Sequence, residues 1–134
     1  MRKLMSAALI LTLAGCASAP LQQDQPTGAG TYRLIAINSE GMPVVLTEGP
    51  QAGSEVVSGE LQLNTDQTFR MRIDLRTQVS SLKPLEYSRS YDGKYDISSI
   101  GVSMAWQEGA LTSGAFFGRT LRVYRDGMEY LFLK

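Results

Sequence analysis

Phe69-Arg70-Met71-Arg72-Ile73-Asp74-Leu75-Arg76 alternates without a break between a large apolar side chain and a charged one. Side chains two residues apart share one face of an extended chain, so Phe69, Met71, Ile73 and Leu75 fall on one side and the four charges on the other. A helix would scatter the same residues around its circumference. The octet therefore reads as a half-buried antiparallel strand, one face on a core and the other in water.

The segments on either side repeat its period. Alternation and bounding turn residues predict strands at 30–37, 44–47, 56–64, 69–76, 85–90, 94–97, 102–107, 110–117, 120–125 and 128–134. Asn38 to Pro43 is a turn cluster, 48–55 a loop carrying Gly49, Pro50 and Gly53, and 80–84 a break ending in Pro84. Asp126-Gly127 predicts a tight hairpin; Asp92-Gly93 predicts either another or a bend that opens the 94–97 strand. Glycines at Gly30, Gly59 and Gly93 each open a Gly-x-Tyr/Leu-x-apolar run, as at positions where strands turn corners. No helix of useful length is expected. Many short strands in sequence are best closed on themselves, which removes exposed edges, so the expected fold is all-β, a small antiparallel up-and-down barrel of about eight strands.

The chain ahead of the barrel has a different character. Arg2 and Lys3 precede the ten-residue apolar run 4–13, which is followed by the small residues Ala14 and Gly15. Ten residues rise only about 15 Å as a helix, against a bilayer core of about 30 Å, so the run reads as an export signal and not as a membrane span. Leu13-Ala14-Gly15-Cys16 resembles the bacterial lipobox and contains the only cysteine of the chain. The resemblance implies cleavage before Cys16, a diacylglyceryl group on its sulfur and an acylated new amine. Two or more acyl chains hold stably at about 0.8 kcal/mol per buried methylene. By the sorting pattern of such lipoproteins, Ala17 after the Cys implies the outer membrane, with the domain facing the periplasm. Residues 17–29, rich in Ala, Gln, Pro and Thr, bury too little to fold and read as a disordered tether with a reach of about 20 Å. The expected organisation is a lipoprotein signal peptide at 1–15, lipidated Cys16 and tether at 16–29, and a barrel domain at 30–134.

Composition narrows the functional classes. The chain carries 13 basic and 13 acidic side chains; without Arg2 and Lys3 the balance is 11 against 13, a net charge of −2. No basic excess points to nucleic acid. With Cys16 acylated, no cysteine is left for a disulfide. The absence of histidine removes Ser-His-Asp and Cys-His catalysis and most zinc and non-haem iron sites. No enzyme activity and no cofactor beyond the covalent lipid are expected.

The Gly30-Thr31-Tyr32 opening, the stretch Leu61 to Phe69, the Gly93-Lys94-Tyr95 restart and the closing hairpin from Leu121 to Leu133 resemble small bacterial lipocalin-like domains. The likeness runs from Gly30 to Lys134, with Tyr32 where that family's first strand carries Trp. It implies a basic residue from the last strands across that ring, here Arg122 or Arg125. Trp106-Gln107-Glu108-Gly109-Ala110 and Ser113-Gly114-Ala115-Phe116-Phe117 are similar to segments of the lipid-anchored lysozyme inhibitors, the second to their inhibitory loop, with Phe117 in place of Tyr.

Three sets of residues are candidates for a site. Arg70, Arg72 and Arg76 form either an anion-binding stripe or an ordinary solvated strand face interrupted by Asp74. Asp92 and Asp96 either touch a calcium ion, which needs six to eight oxygen ligands, or occupy solvated positions. Met71, Met104, Trp106, Phe116 and Tyr130 either line a ligand cavity or fill the core, since an eight-stranded barrel has room only for side chains or one small ligand. The expected function is non-catalytic binding of a small apolar or amphipathic ligand at the membrane. The rival is a packed barrel whose outer face or loops bind an envelope protein or an enzyme, with the loops 48–55 and 80–84 as places for a portal or a docking surface. Neither reading fixes an oligomeric state.

Overall fold

The structure, a computed structural model, describes residues 28–77, 83–99 and 101–134. The signal segment, Cys16, the tether through residue 27, residues 78–82 and Ile100 lie outside the described residues. The elements are β1 (Gly30–Ile37), β2 (Glu40–Gly41), β3 (Val44–Val45), β4 (Glu55–Leu63), β5 (Thr68–Thr77), β6 (Leu85–Ser98), β7 (Gly101–Trp106), β8 (Leu111–Phe117), β9 (Thr120–Arg125) and β10 (Met128–Leu133). No helix occurs among the described residues.

Eight of these strands form a closed antiparallel barrel, in the up-and-down order β1-β4-β5-β6-β7-β8-β9-β10, with β10 paired back to β1. This is a small lipocalin-like barrel. β4 joins β1 only from Gly30↔Leu63 to Arg33↔Glu60. Beyond that point the two strands part, β2 pairing with β1 and β3 with β4; Met42 and Pro43 pass from β2 to β3, and the loop 46–54 joins β3 to β4. We call the end where the chain enters at Gly28 the lower end, and the end holding Ile37, Thr77 and Arg125 the upper end.

Period two places the core. Phe69, Met71, Ile73 and Leu75 of β5 are buried, as are Tyr32 and Leu34 of β1, Leu61 and Leu63 of β4, Val102 and Met104 of β7, and Tyr130 and Phe132 of β10. At about 25 cal/mol per Å² of apolar surface removed from water, each such side chain contributes roughly 1.5–3 kcal/mol, which holds the barrel together without a cross-link. Two residues ahead of β1 are tied to the barrel: the Tyr32 hydroxyl donates to the Gly28 carbonyl at 2.7 Å, and Lys134 Nζ donates to the Ala29 carbonyl at 2.8 Å.

One sequence expectation fails. Residues 85–90 and 94–97 belong to a single fourteen-residue strand, β6, and Asp92-Gly93 is neither a hairpin nor a break. The cause is tertiary. A Cβ at Gly93 would collide with the Ala105 carbonyl and lie 2.6 Å from the Phe69 ring, so the glycine provides close packing at a strand crossing. Asp126-Gly127, with both residues at positive φ (51° and 74°), makes the expected tight hairpin.

Candidate functional site

The inward side chains leave little space. Met71, Met104, Trp106 and Tyr130 are buried and belong to one continuous core, against which Phe116 packs partly buried. The Phe69 and Trp106 rings meet edge to face at 4.8 Å, and Trp106 Nε1 donates to Thr112 Oγ1 at 2.7 Å. The cavity that reaches Ile73, Tyr91, Met128 and Tyr130 has a volume of only about 10 Å³, at the limit of one water molecule. The structure thus brings the five candidates together as packing. Burial, reinforced by the Asp126 carboxylate, pushes the Tyr130 hydroxyl up to about 12.

The basic residues lie elsewhere than the family likeness implies. Neither Arg122 nor Arg125 crosses Tyr32; Lys134 does, with its ammonium 5.7 Å from the ring centre. Lys134 is at the end of β10, which pairs with β1, whereas β9 is one strand farther away. Arg122 points outward, 5.4 Å from the Phe117 ring and paired with Glu129 at 3.1 Å. Arg125 follows Leu121 and Val123 on the inward face of β9 and closes the upper end.

Arg125 is the unusual residue of this barrel. Its guanidinium carbon lies 4.0 Å from the ring centres of both Tyr91 and Trp106, so the cation is held against two aromatic faces. Its side chain is 9% exposed. Nη2 donates to Glu108 on the β7–β8 turn, and Nε lies 3.4 Å from the Asp126 carboxylate, within ion-pair range but not aligned as a hydrogen bond. Nε and Nη1 are buried and have no hydrogen-bond partner among the described residues. Glu48, Pro50 and Gln51 of the loop 46–54 line the same small cavity as Tyr91 and Arg125. Gln51 also accepts from the Tyr87 hydroxyl at 3.0 Å, while Ser54 and Thr77 hydroxyls lie 2.9 and 3.4 Å from the same oxygen. Those hydrogen bonds, that from Ser54 foremost, hold Tyr87 below the usual tyrosine range.

The upper rim is uneven. β5 and β6 are paired along the whole of β5, from Thr68↔Lys94 to Thr77↔Leu85, but β7 pairs with β6 only from Gly93 to Ser98. The β5–β6 hairpin therefore stands above β7. Among the described residues, the segment from Leu85 to Tyr91 has no strand on its second edge. Outside the barrel below this rim runs an open groove of about 910 Å³ over β6 to β9, lined by Lys94, Asp96, Ser103, Leu111, Ser113 and Tyr124 among others. Leu111, 81% exposed, is its most exposed large apolar side chain.

The remaining candidates have partners. Arg70 pairs with Asp92 at 2.7 Å, Arg72 with Asp74 at 3.0 Å and Arg76 with Glu55 at 3.3 Å, so the three arginines form alternating ion pairs and not an anion-binding stripe. Hydrogen bonds from Ser88 and Ser58, with Arg72 beside it, hold the Asp74 carboxyl below the usual carboxylate range. Asp92 and Asp96 sit four residues apart on one strand, about 13 Å at the usual strand rise, and no three metal-ligating side chains gather among the described residues. Ser113 to Phe117, similar in sequence to an inhibitory loop, lies within β8 and is paired to β7 or β9 along its length.

No family model, no curated protein and no solved structure matches this chain.

Proposed function

We propose that the protein is a lipoprotein of the bacterial envelope, held in the outer membrane by acyl chains on Cys16, whose periplasmic barrel binds envelope proteins through its upper rim and outer groove and performs no catalysis. The observation that carries this reading is the filled interior. A carrier of a small apolar or amphipathic molecule needs a pocket of about 300 Å³ or more that buries most of its ligand. The space beside Tyr130 is about 10 Å³, while the roomy concavity lies outside, over β6 to β9. That groove joins an exposed Leu111 and the Tyr124 ring to charged and hydroxyl side chains, the mixture found in transient protein interfaces.

The test places a photoactivatable cross-linking residue at Leu111 in the groove, or at Glu60 on the outward face of β4, in cells making the full chain. The reading expects a protein adduct of discrete mass from position 111 and none from position 60. Equal patterns at both positions, or none at either, would overturn it.

A further inference from the structure

We infer that the free edge of β6 pairs with the same edge of a second copy of this chain, joining two β5–β6 hairpins into one antiparallel sheet. The direction of the backbone groups comes first. Gln107 N donates to the Asp92 carbonyl at 2.9 Å, so even-numbered β6 residues aim their backbone groups toward the β7 side. Where β7 has ended, Glu86, Ser88 and Ser90 therefore present N–H and C=O groups to the open edge, and no described residue bonds them. An edge of this kind is a template for another strand.

The sequence of the edge selects its own copy. Antiparallel pairing centred on Ser88 sets Glu86 opposite Ser90 of the second copy and Ser88 opposite Ser88. All three are pairs of the hydrogen-bonded type, which gives about six backbone hydrogen bonds. On the other face, Tyr87 then lies directly opposite Arg89 of the second copy, and Leu85 opposite Tyr91. Arg89 already stands 5.6 Å from the Tyr87 ring of its own chain, and Leu85 is 60% exposed, so each would meet a complementary partner. Centring the pair one residue later, on Arg89, would place the two arginines against each other. An inward-pointing charge is a usual guard against indiscriminate edge pairing, and here it rejects the shifted register while accepting the one centred on Ser88. The contact is small, so it is weak in free solution; tethering both copies to one membrane raises their effective concentration and populates it.

This inference names one partner of the upper rim and so rests on reading the barrel as a surface-binding module, but the two fail separately. A bound small molecule would overturn that reading whatever the oligomeric state, and the register below is read independently of any ligand. The test uses the full lipidated chain in phosphatidylglycerol–phosphatidylethanolamine vesicles. Hydrogen-bonded antiparallel pairs hold Cα atoms about 5.5 Å apart, within the range a disulfide spans. Ser88→Cys should cross-link to itself under mild oxidation; Glu86→Cys and Ser90→Cys should not cross-link alone but should when mixed. As a second variant, Ser90→Pro removes an edge-facing N–H without touching the β5 ladder. Combined with Ser88→Cys in the same vesicles, it should abolish the cross-linked dimer while the far-ultraviolet circular dichroism stays that of the parent. Cross-linking of Ser88→Cys no greater than that of Glu86→Cys alone, or a dimer that survives Ser90→Pro, would overturn the inference.

Discussion

Removing Glu108 should destabilise the barrel more than removing the buried cation that it partners. Arg125 gains from two aromatic faces at 4.0 Å each and from one charged hydrogen bond, to Glu108. Two desolvated cation–aromatic contacts contribute about 2–4 kcal/mol together, and a hydrogen bond to a charged group about 1.5–3 kcal/mol. Against this stand two buried unbonded donors, Nε and Nη1, at about 1–3 kcal/mol each, and the cost of taking the guanidinium out of water. Arg125→Met keeps the apolar stem, removes the cost together with the gain, and should change stability by no more than about 1 kcal/mol. Glu108→Ala leaves the cation buried with only Asp126 near it. Loss of one member of a fully buried pair costs about 3–5 kcal/mol; because Glu108 is itself 47% exposed, water replaces part of it, and about 2 kcal/mol is expected. The double variant should match Arg125→Met alone, since nothing is then left for Glu108 to neutralise, giving a coupling of about 2 kcal/mol. Urea unfolding followed by the emission of Trp106, the only tryptophan and in contact with Arg125, measures all three variants. Glu108→Ala should lower the midpoint by about 1 M or more at the slopes usual for small domains. A larger loss for Arg125→Met than for Glu108→Ala, or additive losses in the double variant, would refute this account of the cluster.

Alkaline pH should destabilise the fold through its buried tyrosines. Tyr130 is raised to about 12 from an ordinary value of 10, so the folded state holds the proton more tightly; the stability this contributes is complete below pH 10 and is lost as pH rises from 10 to 12, about 3 kcal/mol from this residue alone. Burial raises Tyr32, Tyr91 and Tyr95 in the same direction, and stability measured from pH 9 to 12 together with tyrosinate absorbance should show a late, cooperative ionisation. Gly93→Ala should cost about 3 kcal/mol or more, because the new Cβ meets the Ala105 carbonyl and the Phe69 ring; a change below about 1 kcal/mol would show that β6 gives way there. Met71→Ala, in the middle of β5 with no exposed surface, should cost about 2–5 kcal/mol, whereas Leu111→Ala on the outer groove should lie within about 0.5 kcal/mol of the parent in the same urea series.

The fold was legible where local rules and tertiary structure agree. The β5 octet alternates because one face meets the core and the other water, and Asp126-Gly127 turns because both residues adopt the positive φ that a tight hairpin needs. Asp92-Gly93 carries the same local signal, but there the missing Cβ makes room for Phe69 and the β7 backbone, a use that no window of neighbouring residues reveals. Trp106 could be placed inward by its alternation with Val102 and Met104. Arg125 shares the parity of Leu121 and Val123, but its pairing with Tyr91, Trp106 and Glu108 depends on three other segments of the chain, and the sequence alone did not separate it from Arg122. The open edge of β6 was hidden for a related reason: it exists because β7 stops short, and relative strand height is set by the stagger of the closed barrel.

The central claim is that the barrel is filled by its own side chains and works through its surface. Native mass spectrometry of the protein, released gently from its membrane, tests it most directly. The account predicts the mass of the acylated chain, alone or doubled, unchanged after incubation with an extract of envelope lipids. An additional mass of a few hundred daltons that leaves on denaturation would contradict it and would show that the core around Met71, Met104 and Tyr130 opens to hold a ligand.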